Sequence, residues 1–213
     1  MKKLIQKGSE NKIYDNLNYE DLNNYISYYY QYDLIIKSKP KSILEIGVGT
    51  KLLSSYLKAR KFDIKTCDFD PTLNPDIVGD IRKLPIKDNK FDTVVAFEVL
   101  EHLPFKYFKK SLLELKRVSK KHVIISIPYV TLNIYFILKL IPFIRPKSHL
   151  FRMTELWFLR HKFNGEHYWE MGKKNYPKKL IIKIIKSIGL KIVKEFSEPL
   201  NPYHYFFVLE KTN

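Results

Sequence analysis

Two glycines and one carboxylate lie where a nucleoside-containing ligand would need them. Gly47 and Gly49 close the stretch KSILEIGVGTK, which begins as an apolar strand. Glycines there allow a tight turn and let a ligand lie against backbone, beside the unpaired N–H groups of a following helix. Asp68 follows a second apolar run, at about the 20-residue spacing of an acidic residue that accepts ribose hydroxyls. The three residues predict a site for a ribose-bearing cofactor.

The loop does not complete the fingerprint of nicotinamide dinucleotide sites. That fingerprint has a third glycine three places after the second. This chain has Leu52 at that place. A nicotinamide cofactor is therefore not expected.

Alternating strands and helices are expected to position these residues. Apolar runs predict strands over 42–46, 63–67, 92–97 and 122–127, and helical spacing predicts helices over 19–36, 50–60 and 105–118. This order is typical of a parallel sheet with helices on both faces, in which ligands bind beyond the carboxyl ends of the strands. The pattern is interrupted after Pro128 for about fifty residues. It resumes with a helix over 177–188 and an antiparallel pair of strands, 190–196 and 204–210.

The chain is expected to form a single domain over residues 1–213, because this length suits one hydrophobic core. Its predicted parts are an N-terminal helical cap (1–37), a cofactor-binding core (38–128), a substrate lid insertion (129–175), and a final helix with edge strands (176–213).

Further motifs agree with the glycine loop. The pattern Glu45-x-Gly47-x-Gly49 and the stretch PDIVGDIRKLPIKDNKFDTVVAFEVLEHLP resemble the motifs of class I S-adenosylmethionine-dependent methyltransferases, in particular the small-molecule, type 11-like branch. The resemblance covers residues 41–128 in order and spacing. It implies S-adenosylmethionine as cofactor and S-adenosylhomocysteine as product. It also implies an α/β fold with a Rossmann-like, doubly wound, seven-stranded sheet, mostly parallel with an antiparallel edge hairpin, and a lid insertion.

The resemblance assigns cofactor contacts residue by residue. It implies that Glu45, Gly47 and Gly49 hold the methionine end of the cofactor. It implies that Asp68 accepts the ribose hydroxyls and that Asp80, in GDI, meets the adenine amino group.

Three more positions complete the implied cofactor site. Ile81 would pack on the adenine ring, and Phe97 and Glu98, in FEVLEHL, would border the cofactor. The chain departs from many relatives at Lys51, where they have glycine. We expect Lys51 to lie in the first helical turn with its long side chain toward solvent; the alternative is an ion pair with the cofactor carboxylate.

His102 is the candidate catalytic residue, because the resemblance places it toward the reaction centre. A histidine with a pKa near neutrality is suited to take a proton from an acceptor hydroxyl as the methyl group arrives. The alternatives are that His102 positions the acceptor, orients the cofactor or caps a helix. Methyl transfer also depends on holding donor and acceptor in line.

The insertion is where acceptor recognition is expected. Its aromatic and polar side chains suit sugar, aromatic or lipid-headgroup ligands, although packing on the core is an equal alternative for the aromatic ones. The candidate substrate residues are Tyr129, His149, His167, Tyr168, Trp169 and Glu170. Residues 134–152 could instead contact a membrane peripherally, with Phe136 and Ile137 at the interface, or form a lid or dimer contact.

Charge and composition bound the remaining partners. The formal net charge of +16 raises the possibility of nucleic acid, but the lysines are scattered and no RNA-binding module is visible. An RNA or protein methyltransferase, or a non-catalytic cofactor-binding protein, remains the alternative to small-molecule methylation. Cysteine and histidine spacing predicts no metal site. The single cysteine and the absence of a signal-like N-terminal stretch predict a cytoplasmic protein, possibly peripheral to the membrane.

Overall fold

The computed structural model describes residues 21–138 and 147–212. Its helices are α1 (Leu22–Lys37), α2 (Leu52–Ala59), α3 (Phe108–Val118) and α4 (Lys178–Ser187). Its strands are β1 (Ile43–Ile46), β2 (Ile64–Asp68), β3 (Ile77–Val78), β4 (Phe91–Phe97), β5 (Ser119–Pro128), β6 (Thr131–Leu138), β7 (Lys147–Glu155), β8 (Leu190–Glu198) and β9 (Asn201–Lys211).

Seven of these strands form one sheet in the order β3-β2-β1-β4-β5-β9-β8. The pairs from β3 to β5 are parallel, and β9 is antiparallel to both β5 and β8. The predicted fold class is confirmed, including the antiparallel pair at the edge. The chain reverses its direction of travel across the sheet between β1 and β4, which is the switch point where ligands bind in such sheets.

The strands of the sheet centre are buried on both faces, so they are continuous apolar runs rather than alternating ones. All four residues of β1 are buried, and Val94, Val95 and Ala96 in β4 are fully buried. One apolar cluster fills the face covered by α3 and α4, and a second fills the face covered by α1 and α2. These two layers hold the carboxyl ends of β1, β2 and β4 in fixed positions.

The insertion forms a second, two-stranded sheet that the sequence did not predict. β6 and β7 pair antiparallel, with Ile134 opposite Phe151 and Phe136 opposite His149. We refer to β6 and β7 together as the ribbon. No helix in the described part of the chain is long and apolar enough to cross a membrane.

Candidate functional site

The glycine loop after β1 has no space for side chains at its first glycine. Gly47 has φ +79°, and a Cβ there would lie 2.5 Å from Cγ2 of Val99. Gly49 also has a left-handed φ of 44°. The backbone N–H of Gly47 donates to the carbonyl of Cys67, 2.9 Å away, which ties the loop to the end of β2. The bare backbone predicted from the sequence is therefore required by the fold.

Asp68, the last residue of β2, holds the loop from the other side. Its Oδ2 accepts the N–H of Val48 at 2.9 Å, and its Oδ1 accepts the N–H of Asp70 at 3.0 Å. Only 6% of the residue is exposed, and burial raises the pKa of its carboxyl. Each carboxylate oxygen has a second lone pair, so the same group can bind hydroxyls of a ligand.

Glu45 is a buried acid with unused hydrogen-bonding capacity. It is 6% exposed, and its Oε2 has no hydrogen-bond partner. Burial raises the pKa of Glu45 to about 8. An ammonium group beside it would restore the ionised form and satisfy the free oxygen. This fits the amino group at the methionine end of S-adenosylmethionine.

Asp80 is bound by a neighbouring arginine that the sequence did not single out. Arg82 Nε donates to both carboxylate oxygens, at 2.9 and 2.8 Å, and Arg82 Nη2 also donates to Oδ2. Desolvation opposes ionisation, but Arg82 outweighs it, and the pKa of Asp80 lies below its ordinary value. The Arg82 guanidinium lies 5.0 Å from the centre of the Tyr107 ring. Asp80 is thus held ionised and fixed in orientation.

A cleft of about 260 Å³ connects these residues. It includes all nine predicted cofactor and catalytic residues: Glu45, Gly47, Gly49, Asp68, Asp80, Ile81, Phe97, Glu98 and His102. Its other walls include α1 residues Asn24, Tyr28 and Gln31, and Tyr168 from the insertion. The helical cap therefore contributes directly to the cleft, a role that its sequence pattern did not indicate.

Acidic and histidine side chains meet at the end of the cleft beyond β4. Glu98 has a left-handed φ of 51°, a strained conformation for a residue other than glycine and typical of functional sites. Glu101 is fully buried, and neither of its carboxylate oxygens has a hydrogen-bond partner. Burial and the neighbouring Glu98 raise the pKa of Glu101 well above its ordinary value. Glu101, His102 and His167 place donor atoms within 4.8 Å of one another.

Comparison with known proteins finds a family model that matches the motif region and solved structures that share the fold. Residues 44–127 match the family model of the methyltransferase domain, type 11. Over these residues the chain is similar to class I, S-adenosylmethionine-dependent methyltransferases of type 11. No protein of curated function matches it in sequence.

Solved structures of methyltransferases share the fold of this chain at low sequence identity. Magnesium protoporphyrin IX methyltransferase from Synechocystis PCC 6803, with bound S-adenosylhomocysteine, is 14% identical, with a TM-score of 0.59 over 90% of this chain and 84% of that one. An N-methyltransferase from Bradyrhizobium japonicum WM9, in complex with the same molecule, is 12% identical, with a TM-score of 0.59 over 91% and 90%. A Burkholderia thailandensis 1,6-didemethyltoxoflavin N1-methyltransferase is 12% identical, with a TM-score of 0.52 over 82% and 72%.

Hydrogen bonds orient the rings of His102 and His167. Nδ1 of His102 lies 3.1 Å from the carbonyl oxygen of Glu166, which can only accept, so Nδ1 carries the proton and Nε2 the lone pair. Nδ1 of His167 lies 3.1 Å from Oε1 of Glu170. Desolvation and then the neighbouring His167 lower the pKa of His102, which keeps its imidazole neutral near pH 7.

Glu170 is the centre of a charged network that fixes His167. Lys173 Nζ lies 2.6 Å from Oε2 of Glu170, and the Tyr203 hydroxyl donates to Oε1 at 3.1 Å. Desolvation opposes ionisation, but these partners and His167 outweigh it and lower the pKa of Glu170 to about 2. An ionised Glu170 accepts the Nδ1 proton of His167, which fixes the orientation of the His167 ring.

The other predicted substrate residues do not all lie at the cleft. Trp169 is fully buried, and its Nε1–H donates to the carbonyl of Leu103 at 3.1 Å. Tyr129 is 5% exposed, and its hydroxyl donates to Glu155. His149 lies on the ribbon, stacked on Phe136. Of the six, the structure places Tyr168 in the cleft and His167 beside His102, with ring centroids 5.1 Å apart.

Lys51 does not lie in the first helical turn, because it is the residue before α2, with a left-handed φ of 62°. The predicted position of Lys51 was therefore wrong by one residue. The loop requires a left-handed conformation at Lys51, which glycine adopts most easily, and the helix begins after it. Its side chain is outside the set of residues that line the cleft.

Replacing Lys51 by glycine is expected to stabilise the protein. A left-handed conformation costs an L-residue roughly 1–2 kcal/mol, and the extra freedom of glycine in the unfolded chain offsets part of this gain. We expect Lys51→Gly to raise the free energy of unfolding by about 0.5–1 kcal/mol, measured by urea denaturation. Ser55→Gly, within α2, is the control and should lower the free energy of unfolding by about 0.5 kcal/mol. A loss of stability in Lys51→Gly would contradict the interpretation that the backbone of Lys51 is strained.

Proposed function

We propose that the protein methylates a hydroxyl group of a small-molecule acceptor, with His102 as the residue that receives the hydroxyl proton. The observation that carries this proposal is the position of the His102 imidazole at the end of the cofactor cleft, with Nδ1 bound to the Glu166 carbonyl. Its Nε2 is the nitrogen with the lone pair, because Nδ1 donates its proton to the Glu166 carbonyl. A hydroxyl needs such a base far more than an amine, which is already nucleophilic when neutral.

The cofactor half of the cleft supports binding of S-adenosylmethionine. Glu45 would pair with its ammonium group and Asp68 with its ribose hydroxyls, while the backbone at Gly47 would lie against it. Asp80 would accept from the adenine amino group, and Ile81 would pack on the ring. When bound, S-adenosylmethionine supplies a methyl group on a positively charged sulfur.

The residues beyond β4 support the handling of the acceptor. Glu101 is buried, and its donor atom lies within 4.8 Å of those of both histidines. The positive charge that His102 gains with the proton would lower the pKa of Glu101, and the ionised carboxylate would then stabilise that charge. His167, fixed by Glu170, would accept a hydrogen bond from the acceptor and orient it. Tyr168 lines the cleft and offers an aromatic surface beside it. In-line placement and exclusion of water would supply much of the remaining rate acceleration.

The test is methyl transfer to matched acceptors. Purified protein is incubated with S-adenosylmethionine carrying a labelled methyl group and with pools of hydroxyl compounds, the corresponding deoxy compounds and the corresponding amines. We expect label in hydroxyl compounds, together with an equal amount of S-adenosylhomocysteine. Transfer confined to amines, to RNA or to protein would contradict the hydroxyl acceptor. Cofactor binding without any transfer would favour a non-catalytic role.

A further inference from the structure

The ribbon carries large apolar side chains on both of its faces, uncovered by the rest of the described chain. Paired residues in an antiparallel ladder share a face, and successive residues alternate between faces. One face therefore presents Ile134, Phe136 and Phe151, and the other presents Tyr135 and Ile137. Each of these five side chains is between 53% and 64% exposed. A lid packed on the cleft would bury one face.

The base of the ribbon is firmly attached to the domain. The Arg152 guanidinium lies 4.4 Å from the centre of the Tyr129 ring and donates to Thr131 Oγ1 at 2.6 Å and to Ser197 Oγ. Glu155, at the end of β7, accepts from the Tyr129 hydroxyl and from the backbone N–H of Lys178. The apolar part thus extends from a rigid support. A two-stranded ribbon of this kind is marginally stable in water without a surface to cover it.

The charge of this segment is strongly positive. Residues 131–163 contain six lysines and arginines and a single acidic residue, Glu155. Aromatic and aliphatic side chains next to basic ones are the combination that binds the interface of an anionic bilayer, where each Lys or Arg contributes about 1 kcal/mol. A second copy of the chain would bring two patches of the same sign together, which is unfavourable.

We propose that the ribbon inserts its exposed apolar side chains into the interface of an anionic lipid bilayer. Aliphatic residues such as Ile134 and Ile137 gain from contact with acyl chains, whereas they neither stack on bases nor bind phosphate. The net positive charge of the segment attracts the anionic headgroups. The inference is independent of the methyl acceptor, because it concerns a surface separate from the cofactor cleft.

Vesicle sedimentation tests the proposal on the full chain. The probes are vesicles of phosphatidylcholine with phosphatidylglycerol at about 3:1 and vesicles of phosphatidylcholine alone, each at about 0.1 M and 1 M salt. We expect the wild type to sediment with the anionic vesicles at low salt and at least fivefold less with the neutral ones. The variant Phe136→Asp/Ile137→Asp, with one change on each face, should lose at least nine-tenths of the bound fraction.

The control is Leu22→Asp/Tyr29→Asp, which makes the same change of charge at exposed apolar positions of α1. It should bind vesicles within about twofold of the wild type, because it adds only two negative charges to a chain with a net charge of +16 and leaves the ribbon unchanged. No sedimentation of the wild type, or equal loss in both variants, would overturn the proposal. A dimer seen by light scattering that only the ribbon variant dissociates, without vesicle binding, would assign the ribbon to a second copy instead.

Discussion

Asp68→Asn is expected to weaken binding of S-adenosylmethionine and of S-adenosylhomocysteine by about a hundredfold. A hydrogen bond to a charged group contributes roughly 1.5–3 kcal/mol, and loss of about 3 kcal/mol corresponds to roughly two orders of magnitude in affinity. The substitution also places an amide N–H₂ against one of the two backbone N–H groups that now donate to Asp68, that of Val48 in the glycine loop or that of Asp70 after β2. Calorimetric titration with each ligand measures the effect.

Asp92→Asn is the matched control for this prediction. Asp92 Oδ2 also accepts two backbone N–H groups, those of Lys41 and Ser42 at 2.9 and 3.1 Å, but at the opposite edge of the sheet. The chemical change is the same, so a general loss of stability would appear in both variants. We expect Asp92→Asn to bind both ligands within about threefold of the wild type. Comparable losses in the two variants would remove Asp68 from the cofactor site.

His102→Ala is expected to reduce kcat by at least a hundredfold while leaving the affinity for S-adenosylmethionine unchanged, because a positioned general base contributes roughly 10²–10⁴. The pH profile provides a second readout. The base must be neutral, and desolvation holds the pKa of His102 below its ordinary value, so kcat should rise with pH with a midpoint below about pH 6.5. This rise should disappear in the variant.

Two controls separate proton transfer from other roles of His102. His122→Ala changes a histidine on β5 outside the residues that line the cleft, and kcat should stay within about twofold. Addition of EDTA should leave kcat unchanged if His102 acts on a proton. A fall in kcat with EDTA would show that the donor atoms of Glu101, His102 and His167 hold an ion. Turnover of His102→Ala within about threefold of the wild type would exclude His102 as the general base.

The sequence was sufficient for the sheet and for the grouping of residues around the cleft. Residues at the ends of buried parallel strands must meet at one edge, so Gly47 and Asp68 could be grouped from the order of strands and helices, whereas Glu98 was placed there by the family resemblance. Local spacing carries no such information for residues brought together from distant segments. His102 and His167 are separated by the whole of β5, β6 and β7, so their contact depends on how the chain returns after the ribbon.

The sequence did not predict the ribbon or the ion pair between Arg82 and Asp80, for different physical reasons. Strand prediction relies on alternation between polar and apolar residues, and β6 is apolar on both faces, so its pattern gave no period of two. Arg82 follows Asp80 by two residues, and only the turn between them brings the guanidinium back to the carboxylate. Such a local ion pair depends on side-chain rotamers, which the order of residue types does not specify.

The reactivity of the Cys67 thiol can be used to measure local opening of the sheet. Cys67 is the single cysteine of the chain, it is fully buried next to Asp68, and its Sγ lies 3.9 Å from the carbonyl of Gly79. Burial raises the pKa of the thiol to about 12, so a thiol reagent can react only when this half of the sheet opens. The rate of labelling therefore measures how often β2 separates from its neighbours. A ligand held by Asp68 should slow that opening in proportion to its occupancy, without any label on the ligand itself.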